Sequence, residues 1–306
     1  MFEVIPLGTG SALPTKTRHL AGTLVRREGR SILFDCGEGS QLQLVRGGLT
    51  RGRLDAVCVT HLHGDHLYGL PGLVTTLALL EREDPLTIVG PEGIRDVLTA
   101  MPGLQRDWLP FETRYVELAE DTEHAVVYED EAVTVEARPI RHRVPCFGFR
   151  YQERVRPGSI DAEAARAAGI TEGPQFEALK RRETVTLDDG RAVGPEGIVG
   201  PPRPGGAFAY VLDTVPCENG RRLAEGADLL MHEATFTDEH AERAADVGHS
   251  TARQAAEVAR DAGAGRLLLT HFSARYTDAS ALVAEAREVF AASEAAEELA
   301  RYPVRR

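Results

Sequence analysis

The sequence predicts an α/β fold in which helices cover sheets that contain both parallel and antiparallel strands. Short apolar segments that are typical of strands alternate with segments of helical periodicity along much of the chain, and this alternation favours layers of helix on sheet. In several places strands follow one another with no helix between them. The sheets should therefore be mixed and not purely parallel.

The first part of the chain is predicted to begin with strands. FEVIPL, TLVRR and SILFDC read as short strands separated by glycine-rich or polar turns, and LDAVCVT reads as a buried strand that ends at Thr60. A helix is expected over residues 69–80, followed by the strand LTIVG. PEGIRDVL should then open a helix with Pro91 in its first turn.

The later part is predicted to contain strands and two helices. Strands are expected at AVTVEARPI, CFGFRYQE, AFAYVLDT, ADLLMHEA and RLLLTHF. Helices are expected over residues 251–262 and from Asp278 onward, and Ser250 is placed to cap the first of them.

Residues 154–206 break this pattern. They are rich in glycine, proline and charge and show only brief apolar periodicity. An interdomain linker would join two separate cores, whereas the strands on either side of this segment belong to one predicted site. We therefore interpret residues 154–206 as an arm inserted into a single domain of residues 1–306.

We expect an ordinary globular protein that acts in the cytoplasm. The 306 residues are 42% hydrophobic and 27% charged, and we predict neither a signal peptide nor a membrane span. No membrane partner is expected. The cysteines have no close-paired spacing of the zinc-ribbon kind, so we predict that they are buried reduced thiols: Cys36, Cys58, Cys146 and Cys217.

The formal net charge of -12 counts against a nucleic-acid partner, because phosphate binding usually needs a basic surface. Net charge does not describe the local field, however. Of the 35 lysines and arginines only Lys16 and Lys180 are lysines, so 35 minus 2 leaves 33 arginines, and arginine binds phosphate in a bidentate manner. A compositional bias towards arginine would explain the total equally well, so the position of the basic residues must decide.

A run of histidines provides the strongest functional signal. His61, His63, Asp65 and His66 lie within six residues directly after a predicted strand, and neutral imidazole with carboxylate is the ligand set that suits zinc. Strand alternation places His61 and His63 on the same side of the backbone. Beyond Gly64 the chain can turn Asp65 and His66 towards a second point, which suggests two metal ions.

Two metal ions need more ligands, and these should come from the ends of later strands. His142 follows AVTVEARPI, Asp213 lies near the end of AFAYVLDT and His271 lies near the end of RLLLTHF. Taken alone, each of these could be an ordinary surface residue or a buried residue whose polar atoms are hydrogen-bonded. Together they complete a ligand set in which an aspartate can bridge two cations.

Several segments spread over nearly the whole chain resemble the ribonuclease Z family of the metallo-β-lactamase superfamily. They are LGTGSALPTKTR, FDCGEG, HLHGDHLYGLPGL, HRVPCFGFR, VLDT, HEATF, GHST and HFSARY. HLHGDH alone would indicate only the superfamily. The resemblance implies a four-layer αβ/βα sandwich with two mixed sheets, and an enzyme that removes the 3′ trailer from precursor transfer RNA. The implied products are a 3′-hydroxyl transfer RNA and a trailer with a 5′-phosphate.

The resemblance also implies roles for individual residues. One metal ion would be held by His61, His63 and His142, the other by Asp65, His66 and His271, with Asp213 bridging. The metals would be two Zn²⁺ per subunit, with Mn²⁺ as the alternative. Asp65 would accept or steer the proton of the attacking water. Glu233 and His249 would form a supporting pair in which His249 protonates or hydrogen-bonds the reacting phosphate.

Other implied roles concern the substrate and the assembly. Lys16 and Arg18, in a loop that the family places beside the cleavage site, would hold flanking phosphates. Lys180 lies in the segment that resembles the family's arm for gripping transfer RNA. A homodimer is expected and DNA is not. The family usually has glycine where Leu212 precedes Asp213 here, which affects only the expected strand packing.

Two other functions compete with this interpretation. An enzyme of the same fold that acts on a small phosphodiester, such as a cyclic nucleotide, or on a lactone or thioester would not need a phosphate-gripping arm. A metal-stabilised binding protein without turnover would close its metal sites and lack proton-transfer groups. The predicted arm argues against the first, and Asp65, Glu233 and His249 argue against the second.

Overall fold

The computed structural model describes residues 1–105, 108–171 and 173–305. Contacts divide the chain into two compact units. The main unit consists of Met1–Gln152 and Gly206–Arg305, and the inserted unit consists of Glu153–Gly205. None of the helices in the described ranges is both long enough and apolar enough to span a bilayer.

The main unit contains two large sheets, with strands numbered in chain order. The first sheet is formed by β1 (Phe2–Gly8), β2 (Gly22–Arg27), β3 (Arg30–Cys36), β4 (Arg53–Cys58), β5 (Leu86–Pro91), β6 (Thr113–Leu118) and β16 (Tyr302–Val304). Its order is β16-β1-β2-β3-β4-β5-β6. Pairs from β16 to β3 are antiparallel, and pairs from β3 to β6 are parallel.

The second sheet has a related arrangement. It is formed by β7 (Ala125–Glu129), β8 (Val133–Ile140), β9 (Cys146–Glu153), β12 (Ala207–Val211), β13 (Leu229–Glu233), β14 (Leu267–Thr270) and β15 (Ser293–Ala295). Its order is β15-β14-β13-β12-β9-β8-β7. The pairs from β12 to β15 are parallel, whereas β9 with β12 and β7 with β8 are antiparallel. The predicted mixed sheets are confirmed.

Strand alternation divides the buried side chains among three cores. In β3, Ile32 and Phe34 belong to the core between the sheets, and Leu33 belongs to the core beneath the helices. The outer face of the first sheet is covered by α1 (Ser40–Arg46), α3 (Leu70–Leu79) and α4 (Ile94–Thr99). The outer face of the second is covered by α7 (Glu218–Ala224), α9 (Ala252–Asp261) and α10 (Ser280–Val289). The result is a four-layer sandwich.

Short helical segments also lie in the connections of the main unit. Those in the described ranges include α2 (Gly64–Leu67), α8 (Ala241–Val247) and a 3-10 helix over Asp238–His240. The helix expected from Asp278 onward is α10, and the chain after it forms β15 and β16.

The inserted unit has a small core of its own. It contains α5 (Ala162–Ala167), α6 (Pro174–Lys180) and a hairpin of β10 (Val185–Thr186) with β11 (Ala192–Val193). Asp161 caps α5 by accepting hydrogen bonds from two backbone amides, and Pro174 begins α6. Its buried apolar side chains are Ala165, Ile170, Leu179, Val185, Ile198 and Val199.

Three local predictions were wrong. Thr251, not Ser250, caps α9, because its hydroxyl and the side chain of Gln254 form a reciprocal capping box. Pro91 ends β5, and α4 begins only after Gly93, whose φ of 98° turns the chain. β4 ends at Cys58, so two residues separate it from the histidine run instead of none.

The predicted burial of the cysteines is confirmed for three of the four, and the exception is Cys217. Cys36, Cys58 and Cys146 are buried and Cys217 is partly buried, and all of them are free thiols. Burial raises the pKa of Cys36 to about 12, so this thiol is poorly suited to act as a nucleophile.

Candidate functional site

The candidate ligands lie where strands of both sheets end. The run from His61 to His66 follows β4, His142 follows β8, Asp213 follows β12 and His271 directly follows β14. The carboxyl ends of these strands meet at one edge of the sandwich, so residues up to about 200 positions apart become neighbours. The structure brings all the predicted metal ligands together.

The backbone is unusual around this cluster. Asp213 has a φ of 54° and His271 a φ of 59°, and nearby Asp35 and Ala12 have φ values of 55° and 59°. Non-glycine residues rarely adopt this left-handed region, which costs free energy and tends to occur at functional sites. The fold thus holds two candidate ligands in conformations that the local sequence disfavours.

One part of the cluster is a group of three histidines. Nε2 of His61 lies 2.8 Å from Nδ1 of His63, and the ring of His142 has its centroid 5.1 Å from that of His61 and 5.3 Å from that of His63. The ligand atoms of the three lie within 4.8 Å of one another. This spacing is compatible with a single cation.

The other part is formed by Asp65, His66 and His271, with Asp213 between the two groups. Nε2 of His66 lies 3.4 Å from Oδ2 of Asp65 and 3.1 Å from Oδ2 of Asp213. Nε2 of His271 lies 3.4 Å from the same oxygen of Asp213. Asp213 also forms a compact group with His61 and His66, so its carboxylate is in reach of both groups.

Unsatisfied polar atoms show that these residues fit a metal. Among the described residues, a few buried side-chain atoms make no hydrogen bond, and most of those belong to this cluster: Nε2 of His66, His142 and His271 and Oδ2 of Asp213. Although His66 and Asp213 approach closely, their geometry is not that of a hydrogen bond. Buried polar atoms normally have partners. Nitrogen and carboxylate atoms converging without partners are the donor set of a zinc-type site.

The opposite ring nitrogens of the histidines are held by neighbouring groups. Nδ1 of His66 lies 2.8 Å from Oδ2 of Asp35, Nδ1 of His142 lies 2.9 Å from the carbonyl oxygen of Gly248, and Nδ1 of His271 lies 3.1 Å from the hydroxyl of Thr235. Such partners fix the ring orientation and leave Nε2 directed at the site.

Asp35 is a functional candidate that the sequence analysis missed. It is fully buried, and it accepts hydrogen bonds from the backbone and hydroxyl of Thr60 and from the hydroxyl of Tyr210. Asp35 lies near the end of the apolar segment SILFDC. A carboxylate that is buried there needs hydrogen-bond partners, and this position could have identified it from the sequence.

Glu233 and His249 lie beside the cluster. The fully buried carboxylate of Glu233 accepts from the amides of Thr214 and Ser250 and the hydroxyl of Thr235. Nδ1 of His249 lies 3.0 Å from Oε1 of Glu233. Burial opposes protonation of His249, but the charge and hydrogen bond of Glu233 outweigh it and raise the pKa of His249 to about 9.

The carboxylates of the cluster remain ionised. Burial alone would raise the pKa of Asp65, but His271 and His66 hold it well below its usual value. Burial likewise opposes ionisation of Asp213, and the pKa of this carboxyl is lowered by His271, His66 and His61. Both aspartates can therefore act as anionic ligands.

The predicted substrate-binding residues lie in two places. Lys16 and Arg18 belong to an exposed loop that reaches the cluster, since the amide of Ala12 donates to Oδ2 of Asp65 over 3.0 Å. Arg18 stacks on the ring of Phe272 at 5.0 Å. Lys180 ends α6 in the inserted unit, where its ammonium pairs with Glu177 at 2.8 Å.

Leu212, which stands where a glycine was expected, is buried in the core between the sheets and is 1% exposed. Its side chain fills space in that core, while Asp213 beside it remains in the cluster.

Two family descriptions match parts of the chain. Residues 2–106 match the Anti-Pycsar protein Apyc1, and residues 189–272 match the beta-lactamase superfamily domain. Relatives match over the whole length. Ribonuclease Z of Salinibacter ruber is 54% identical over 302 residues, covering 98% of this chain and 94% of that protein. Ribonuclease Z of Bacillus licheniformis is 42% identical over 310 residues, covering 100% of both.

Solved structures agree with these relatives. Human tRNase Z, short form, superposes with a TM-score of 0.69 at 30% identity and covers 99% of both chains. The metallo-beta-lactamase fold protein YhfI from Bacillus subtilis shares the fold, with a TM-score of 0.66 at 20% identity over 99% of this chain and 100% of that one. The predicted metallo-β-lactamase sandwich is therefore confirmed, and the chain belongs to the ribonuclease Z family.

Proposed function

We propose that this chain is a metal-dependent endoribonuclease that cuts the 3′ trailer from precursor transfer RNA. The cut leaves a 3′-hydroxyl on the transfer RNA and a 5′-phosphate on the trailer. The observation that carries the proposal is the convergence of buried, unpartnered His and Asp atoms beside the Glu233–His249 pair, in a chain 54% identical to a ribonuclease Z.

The residues fit two metal ions, and we assign Zn²⁺ to both, with Mn²⁺ as the alternative. His61, His63 and His142 would hold one ion and Asp65, His66 and His271 the other, with Asp213 between them; the grouping of these ligand atoms supports this assignment. When bound, the ions supply Lewis-acid neutralisation of phosphate charge and lower the pKa of a water molecule.

The chain itself supplies the proton transfers. Asp65 is anionic and is oriented by the amide of Ala12, so a carboxylate oxygen can accept or steer the proton of the attacking water. His249 is held at Nδ1 by Glu233, which leaves Nε2 to donate a proton or hydrogen bond to an oxygen of the reacting phosphate. Because Glu233 is itself fixed by other donors, the imidazole is positioned before the substrate arrives.

Basic side chains at particular positions can bind RNA although the net charge of the chain is -12. Lys16 and Arg18 lie on the loop that contacts Asp65, and we assign them to the phosphates that flank the scissile bond. We assign Lys180 and the inserted unit to contacts with the body of the transfer RNA. The cytoplasm remains the predicted location.

We also propose that the enzyme works as a homodimer, because closed two-fold dimers are the commonest homo-oligomers and the family resemblance implies one. Light scattering on the purified protein at assay concentration tests this directly. A particle of 33.3 kDa, the mass of one chain, would contradict the proposal.

An assay on precursor transfer RNA tests the main proposal. The purified protein is incubated with the RNA alone, with a chelator, and with chelator followed by excess Zn²⁺ or Mn²⁺, and the termini of the products are mapped. We expect cleavage that the chelator abolishes and one of the metals restores. Cleavage that survives chelation, or turnover of a small phosphodiester without any cleavage of the RNA, would contradict the proposal and favour the small-substrate alternative.

A further inference from the structure

The loop of residues 10–18 joins β1 to β2 and carries both Lys16 and Arg18. Its base is closed where the amide of Gly10 donates to the carbonyl of His19 at 2.9 Å. The loop is otherwise exposed over most of its length. Its geometry must therefore be set by contacts at its base and by its few contacts with the site.

Glu298 lies at the base of this loop. It belongs to the connection between β15 and β16, which passes from the second sheet to the first. This connection is tied to both sheets, since Ala296 donates to the carbonyl of Leu269 and Leu299 donates to the carbonyl of Pro6, each at 2.8 Å. Glu298 is thus held on rigid structure, and its side chain is 15% exposed.

The carboxylate of Glu298 accepts hydrogen bonds from both ends of the loop. Oε1 accepts from the amide of His19 at 2.7 Å and from the amide of Thr9 at 3.2 Å. Oε2 lies 2.7 Å from Nδ1 of His19 and accepts from Nε2 of Gln43 at 3.0 Å. The two amides immediately flank the segment of residues 10–18, so one oxygen fixes where the loop begins and where it returns.

These donors explain why the residue is a glutamate. An ionised carboxylate only accepts hydrogen bonds and offers about four lone-pair positions. A glutamine could keep Oε1 for the two amides, but its amide nitrogen would then face the Nε2 donor of Gln43. An alanine would leave both amides without this acceptor, which costs free energy when the donors are partly buried.

We propose that Glu298 is a positioning residue that holds the loop of residues 10–18 in the geometry in which Lys16 and Arg18 bind substrate phosphates. The inference rests on the proposed function for its substrate, but the anchoring itself rests on the hydrogen bonds. A loop fixed in advance loses less conformational entropy when the RNA binds. Loss of the anchor should therefore weaken RNA binding more than it slows the chemical step.

Three variants of the full-length, zinc-loaded enzyme test this: Glu298→Ala, Glu298→Gln and the control Glu297→Ala, which changes the exposed neighbouring glutamate. For Glu298→Ala we expect kcat/KM on precursor transfer RNA to fall by at least about tenfold, mainly through KM, with a much smaller loss on a small chromogenic phosphodiester. The fall in kcat/KM should be smaller for Glu298→Gln than for Glu298→Ala, because glutamine keeps one acceptor oxygen. Glu297→Ala should match the unmodified enzyme on both substrates.

Hydrogen exchange provides a measurement that does not depend on activity. In Glu298→Ala the amides of residues 9–19 should exchange faster, while exchange in the strands of both sheets stays the same. Equal loss on both substrates, or faster exchange throughout the main unit, would show that Glu298 only supports the fold. Unchanged RNA cleavage with unchanged exchange would also overturn the proposal. If even the unmodified enzyme does not cut precursor transfer RNA, the proposed function fails, and exchange at residues 9–19 still decides whether Glu298 anchors the loop.

Discussion

Oδ2 of Asp35 lies 2.8 Å from Nδ1 of His66, and both side chains are completely buried. The carboxylate can accept a hydrogen bond from Nδ1–H, which leaves the Nε2 lone pair directed at the metal cluster. Groups of this kind orient histidine ligands and make them more basic, and their loss typically weakens metal binding by about 10–100-fold. Asp35 should therefore matter for metal affinity although it is not one of the candidate ligands.

The first prediction is that Asp35→Asn lowers zinc affinity by about 10–100-fold, because an amide can present its NH₂ to His66 and favour the wrong tautomer. Competition with a chromogenic chelator measures the affinity. Asp55→Asn is the control, since Asp55 is also a buried strand aspartate but pairs with Arg30 and Arg53. It should lower the melting temperature without changing zinc affinity. Unaltered zinc affinity in Asp35→Asn would show that the contact has no role in binding.

The second prediction concerns the ligands. His63→Ala and Asp213→Ala should each lower kcat/KM by at least about 1,000-fold, because each removes a donor that the metal-dependent chemistry requires. Metal content, measured by atomic absorption, should fall together with activity. The fold should persist, since both residues follow strand ends and lie outside the apolar cores.

His124→Ala is a matched control for the ligand variants. His124 lies on the surface beside Glu136 and takes no part in the metal cluster. This variant should keep full metal content and full activity. Full metal content and full rate in His63→Ala or Asp213→Ala would mean that the ligand set is wrong.

The third prediction is that Glu233 and His249 act as a unit. His249→Ala should lower kcat on precursor transfer RNA by about 100-fold or more, the usual range for a lost general acid. Glu233→Gln should lower kcat as well, because it disturbs the 3.0 Å contact between Glu233 and Nδ1 of His249. The double variant should be no slower than His249→Ala alone, since residues in one network are not additive. Additive losses in this double-mutant cycle would contradict a shared role.

Much of the site could be predicted because its signals are local. His61, His63, Asp65 and His66 occupy one short run, and a strand before a histidine-rich loop is readable from sequence. Glu298 could not be found in this way. Its partners Thr9 and His19 lie 289 and 279 positions away along the chain, and no periodicity relates residues at such separations.

Two of the strands that were not predicted from the sequence, β6 and β7, have a different explanation. β6 and β7 are edge strands of their sheets, and most of their residues are only partly buried or are exposed. An edge strand needs fewer apolar side chains and often carries charged ones. TRYVEL and AVVYE therefore lack the clear alternation that identified the central strands.

The last prediction separates substrate recognition from chemistry by removing the inserted unit. β9 and β12 are antiparallel neighbours, and Gln152 lies opposite Ala207 in their register. The two ends of the insertion therefore meet at one point, and a short glycine-containing turn can join them as a hairpin. The removed segment carries its own apolar core and none of the candidate metal ligands. The main unit should fold without it and bind metal normally.

In this variant we expect turnover of a small chromogenic phosphodiester to survive and cleavage of precursor transfer RNA to collapse, mainly through weaker binding. We expect the inserted unit to bind the substrate equally well in the ground state and the transition state, and such uniform binding lowers KM without raising kcat. Because the contacts that we propose for the inserted unit are made to phosphates, binding of the RNA by the intact enzyme should weaken steeply with salt, while KM for the small substrate should barely change. Equal loss on both substrates would mean that the inserted unit supports the fold. Undiminished cleavage of the RNA would show that the inserted unit has no role in substrate recognition, and it would favour the small-substrate alternative.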